Sequence, residues 1–113
     1  MRFRFTYESN GFDESKPLIY VWHIGKRTYV GKGDKGATRP LEHYRRNVER
    51  FFAGKPYRAN NPNGWRKVHI AMIEATKNRQ NIRLEIVSNV KPSEDIFAKE
   101  QEWPDRLETD LNG

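Results

Sequence analysis

Residues 17–44 read PLIYVWHIGKRTYVGKGDKGATRPLEHY, and the reading of this stretch decides the fold. Leu18 to Ile24 is rich in the β-branched and aromatic residues that suit a pleated surface. Gly25-Lys26 is a two-residue turn signal with glycine first, the order a type II′ turn prefers. Arg27 to Gly31 is then the returning strand. If Ile24 pairs with Arg27, Trp22 faces Tyr29 and Tyr20 faces Gly31. Side chains alternate along a strand, so Tyr20 and Tyr29 emerge on one face as diagonal neighbours. Ile19, Val21 and Val30 emerge on the other, which is the expected core side. Gly31 leaves bare backbone beside the Tyr20 ring, where a ligand has room. Taken alone, both tyrosines are also ordinary strand aromatics.

The residues that follow have helical periodicity. Leu41, Tyr44, Val48 and Phe51 form an apolar stripe, and Arg39, His43, Arg46 and Arg50 form a cationic one at i, i+4, i+7 and i+11. Pro40 suits a first turn and Gly54 a stop. Arginine clamps phosphate through two parallel hydrogen bonds, and histidine moves protons near neutral pH.

These residues carry a resemblance. Leu18-Ile19-Tyr20, then Tyr29-Val30-Gly31, then Arg39 and His43, together resemble the GIY-YIG nuclease family. Leu18 stands where the family name has its first glycine, and Val30 where it has its second isoleucine. The family also carries a metal-binding glutamate on a later helix and an asparagine near the end of the nuclease module.

Composition narrows the partners. With 21 Lys+Arg against 15 Asp+Glu, net charge +6, the expected partner is a polyanion: nucleic acid first, an anionic membrane surface second. There is no cysteine, so disulfides and thiolate zinc sites are excluded. No apolar run approaches a membrane span or a signal-peptide core, which makes a soluble, cytoplasmic protein the expectation. The 113 residues read as one domain, with 1–16 an N-terminal extension or edge strand and 17–112 the core.

Along the rest of the chain, Arg2-Phe3-Arg4-Phe5-Thr6-Tyr7 alternates basic and aromatic residues and reads as a short edge strand whose rings pack across the sheet. Residues 32–38 form a connector without the P-loop signature, and its Lys32 is a candidate for the DNA backbone. Residues 54–64, GKPYRANNPNG, form a loop long enough to be functional, with Lys55 and Arg58 as DNA contacts. A second helix is expected over 65–77, with Arg66, Lys67 and His69 turned to solvent or DNA and His69 given no ligand role. His23, His43 and His69 do not cluster, which disfavours a His-Asn-His nuclease. Residues 82–87 alternate as a third strand. Ser93 is the expected N-cap of a final helix.

In that helix Ile96, Glu100, Trp103 and Leu107 recur at i, i+4, i+7 and i+11, placing a carboxylate in the apolar stripe. A buried ionised carboxylate needs a cause. A salt bridge or a slightly rotated helix is one; a divalent cation, which carboxylate oxygens bind naturally, is another. Beside Tyr20, Tyr29, Arg39 and His43, the metal is favoured. Glu102 is the competing position. Pro104 removes the hydrogen bond to the Glu100 carbonyl, so the helix is expected to kink or end there.

The expected fold is α/β in the α+β sense, a small, mainly antiparallel three-stranded sheet flanked by about three helices. The resemblance implies a GIY-YIG-like domain and a DNA endonuclease using one Mg²⁺, with Mn²⁺ as a substitute. Tyr20, passing its proton to His43, activates or orients water; Tyr29 binds the phosphate; Arg39 stabilises its oxygens; Glu100 holds the metal. Gly31 and Asn112 support the site, Asn112 resembling the late asparagine. A homodimer is one route to double-strand cleavage, and a partner protein is one source of specificity. The rival reading is a non-catalytic nucleic-acid-binding module on a degenerate nuclease scaffold.

Overall fold

A computed structural model describes residues 2–107 and residue 111. Four strands form one mixed sheet: β1 (Thr6–Glu8), β2 (Leu18–Ile24), β3 (Arg27–Gly33) and β4 (Ile82–Asn89), in the order β1-β4-β2-β3. The hairpin has the register its turn predicts, with Ile24 opposite Arg27, Trp22 opposite Tyr29 and Tyr20 opposite Gly31. Gly25 takes φ +60°, the left-handed value required at the first turn position. β4 pairs antiparallel with β2, with a register shift between Ile19 and Tyr20.

The sheet differs from the expected one by a fourth strand. β1 runs parallel to β4, pairing Thr6 with Arg83. It is the edge strand expected within residues 2–7, displaced to Thr6–Glu8 and limited to three paired residues. The preceding rings do pack across the sheet, Phe5 meeting Trp22 edge-on at 4.9 Å and Phe3 fully buried.

Both faces of β2 are covered, and the larger core lies on the tyrosine face rather than the expected one. Tyr20, Trp22, Leu84 and Ile86 are buried there against α1 (Tyr44–Phe52) and α2 (Lys67–Lys77), through Tyr44, Val48, Val68 and Met72. The aromatic β2 side chains carry more area than Ile19 and Val21, so they claim the thicker layer. Ile19, Val21, Val30 and Val90 form a smaller core beneath α3 (Ile96–Leu107), with Ile96 and Trp103 partly buried on it.

Helix ends also differ from expectation. Residues Arg39–His43 form a π-helical turn that leads into α1. α3 starts later than Ser93, where the Asp95 carboxylate accepts the Phe97 backbone N–H at 3.0 Å and acts as the cap. It also runs past Pro104 to Leu107 rather than ending there. Among the described residues, no helix is long and apolar enough to cross a membrane.

Candidate phosphate-binding site

The site forms where β3, the outer strand, leaves its rim open. Tyr29 lies on the tyrosine face of β3, and Lys32 on the opposite face with Val30. Between them, Gly31 is buried against the end of the Tyr20 ring. A Cβ there would overlap the Tyr20 hydroxyl and sit 2.7 Å from its Cε1, so glycine is required by close approach rather than by backbone angle.

A cavity of about 200 Å³ wraps this rim. Tyr20, Tyr29 and Arg39 line it from the tyrosine face, and Lys32 and Glu100 from the α3 face. Tyr44 and Arg66 complete the wall. Four residues named from separate segments of the sequence as catalytic, Tyr20, Tyr29, Arg39 and Glu100, thus share one cavity, and Gly31 supports it. His43 lines an adjoining cavity of about 340 Å³ with Arg46, Arg58 and His69, and the two cavities share Arg39, Tyr44 and Arg66. Asn112 lies outside the described residues.

The phenols are tied to one another. The Tyr20 and Tyr44 hydroxyls lie 2.7 Å apart, and Arg66 Nη2 donates to the Tyr44 oxygen at 3.4 Å. Burial, then Tyr44, pushes the Tyr20 phenol well above its usual pKa. Burial, then Tyr29, raises Tyr44 as well. Both rings are therefore hydrogen-bond donors near neutral pH, not bases. Among the described residues no contact joins Tyr20 to His43: the Tyr20 hydroxyl is paired with Tyr44, and His43 lines the adjoining cavity.

Glu100 is half-buried, with the neighbouring Gln101 amide at 3.5 Å as its hydrogen-bond partner. Burial raises its pKa; Lys32 opposes this and Asp34 adds to it. A carboxylate at a cavity wall, desolvated and, among the described residues, without an ion-paired guanidinium, fits a hard cation that keeps most of its waters. Among the described residues, no group of three or more His, Asp or Glu side chains could cage a metal. Among the described residues, Glu100 is the carboxylate lining this cavity.

The remaining basic residues divide. Lys32 is partly buried, its ammonium 4.2 Å from the Phe97 ring centroid and 3.4 Å from Asp34. Arg46 and Arg58 face the larger cavity. Lys55 and Lys67 are exposed and line neither cavity. Arg50 is diverted: its guanidinium donates to the Pro56 carbonyl at 2.8 and 3.2 Å and pins the following loop.

Sequence reasoning missed Tyr44 and His69. Tyr44 sits in an apolar stripe, so nothing in its spacing marks a hydroxyl aimed at a site. His69, expected to face solvent or DNA, is instead 1% exposed. Its Nδ1 accepts the Arg66 backbone N–H at 3.3 Å and its Nε2 lies 3.3 Å from the Asn47 amide, partners that no ligand spacing would reveal. Comparison of the chain with protein-family models, with curated proteins and with solved structures finds no match.

Proposed function

We propose that the chain is a DNA endonuclease of the GIY-YIG kind, hydrolysing a phosphodiester bond with the help of Mg²⁺ or, in its place, Mn²⁺. The observation that carries this reading is one cavity lined by Tyr20, Tyr29, Arg39 and Glu100 together. The net charge of +6 supports a polyanionic substrate. In this reading Arg39 offers its fork of N–H groups to the non-bridging phosphate oxygens, where charge grows during attack. Tyr29 donates a further hydrogen bond to the phosphate.

Arg66 polarises the Tyr44 hydroxyl, making it the better donor of the Tyr20–Tyr44 pair. The Tyr20 proton is then free to orient a water or a phosphate oxygen. Proton removal from the attacking water falls to His43, across the Arg39 wall, since a phenol held protonated by burial is a poor base. Glu100 would hold the cation, with waters and phosphate oxygens filling its other positions. Bound there, the ion would supply Lewis-acid stabilisation of the leaving oxygen. A homodimer would bring two such sites to a duplex.

One observation favours a second reading. With Tyr20 protonated and already hydrogen-bonded, the site is complete as a phosphate binder without chemistry. Incubation with supercoiled plasmid in Mg²⁺ separates the two. Nicking that EDTA stops, and that Arg39→Ala and Glu100→Gln both lack, supports the endonuclease. Retarded but intact plasmid supports the binding module and ends the catalytic proposal.

A further inference from the structure

Besides Arg39, His43, Tyr44 and Arg66, which the proposed chemistry uses, the larger cavity is lined by Arg46 and Arg58, which it does not use. Arg39, Arg46, Arg58 and Arg66 reach it from three segments: the π-helical turn and α1, the loop of residues 54–64, and the start of α2. Its lining holds no carboxylate. Among the described residues, none of the four guanidinium groups is in an ion pair. Like charges fixed around one space repel one another, and an anion in that space converts the repulsion into attraction.

The arrangement is also held in place. The Arg50 clamp on Pro56 fixes one end of the loop. The Tyr57 N–H donates to the Pro62 carbonyl at 3.0 Å, closing the loop on itself. The Tyr57 ring lies 5.0 Å from Trp65 and 5.5 Å from His69, and Arg58 lies over the Tyr57 ring at 5.0 Å. Buried His69 responds to the field: burial first, then Arg66 and Arg58, drive its pKa to about 4.

We infer that this cavity is a second phosphate subsite, taking the backbone phosphate next to the one held between Tyr29 and Glu100. Anion binding here stands on the cavity itself, while the identity of the anion as a neighbouring strand phosphate rests on the endonuclease reading. Arg39 and Arg66 belong to both cavities, so successive phosphates would be gripped across a shared wall. Such contacts fix the position of the strand and carry no base sequence.

The test is made in EDTA, where no cleavage occurs. Inorganic pyrophosphate is titrated calorimetrically into the wild-type chain, Glu102→Gln, Arg58→Gln and the Arg46→Gln/Arg58→Gln double variant. The wild type and Glu102→Gln, whose changed residue lines neither cavity, should bind alike, and the double variant should bind about tenfold more weakly or worse. The exposed single variant Arg58→Gln should show part of the loss with unchanged thermal melting, which guards against a folding effect. No pyrophosphate binding by the wild type, or equal binding by the double variant, overturns the subsite. Duplex DNA binding against salt tests the strand assignment: the double variant should lose about one unit of slope. An unchanged slope overturns the assignment. Pyrophosphate loss in a chain that never nicks plasmid upholds the anion site and removes only the endonuclease reading.

Discussion

Tyr20 and Tyr44 share a buried hydrogen bond, with 2.7 Å between their oxygens, and Arg66 donates to the second. A residue from the apolar stripe of α1 therefore governs the first phenol of the site. Tyr20→Phe and Tyr44→Phe should each slow plasmid nicking, and the double variant should fall short of the combined effect. The coupling expected for two groups in direct contact is about 0.5–3 kcal/mol. Nicking rates and urea unfolding of the four proteins measure it. Strictly additive effects would separate Tyr44 from the chemistry.

Gly31→Ala should be costly although the change is one methyl group. The added Cβ would meet the Tyr20 ring. Forcing that ring out of a packed core costs about 1–3 kcal/mol. Urea unfolding should register the loss and nicking should fall further than stability alone explains. A variant of wild-type stability would mean that the ring has room to move.

Arg39→Lys should fail almost as badly as Arg39→Ala. A lysine keeps the charge and loses the planar fork. Turnover should drop about 10²-fold or more, the cost of removing one transition-state donor. Affinity for DNA in EDTA should change much less. Full activity of the lysine variant would reduce Arg39 to a charge.

Glu100→Gln should abolish metal-dependent nicking, and Mn²⁺ binding followed by its paramagnetic resonance should weaken with it. Glu102→Gln should leave both intact, because the exposed Glu102 lies outside the cavity. The reverse pattern would place the metal on the other side of α3.

His69 should make the fold sensitive to mild acid. Its pKa is about 4 in the folded chain against an ordinary 6.5, with burial the main cause. Between those values the unfolded chain takes up a proton that the folded chain refuses. The stabilisation is therefore complete above pH 6.5 and fades as pH falls toward 4. A loss of up to about 3 kcal/mol is expected over this window. Urea unfolding across it should show the decline, and His69→Gln should flatten it. A flat wild-type profile would contradict the buried, neutral imidazole.

The hairpin was legible because strand alternation and turn chemistry are local: the glycine at position 25 sets the register, and the register sets Tyr20 against Gly31. Arg39 and Glu100 were legible for a related reason, since each breaks or decorates a helical period. For β1 the alternation of residues 2–7 announced an edge strand, but its parallel pairing was not legible, because the partner lies far along the chain. Nor was the choice of the thicker core, which depends on which helices dock on which face. Arg50 looked equivalent to Arg46 on the helix, and a backbone carbonyl from the loop beyond took it away.

α3 rests on the smaller core of Ile19, Val21, Val30 and Val90, yet among the described residues it supplies the one carboxylate lining the cavity. The Arg39 and Arg66 guanidiniums that share the cavity are mounted on the opposite layer, where far more apolar surface is sealed. The two halves of the proposed site are thus fastened with unequal grip and meet like a latch around the outer strand. Lifting the weaker half would separate the carboxylate from the guanidiniums while the tyrosine side stayed folded. Warming should silence the latch before it melts the sheet.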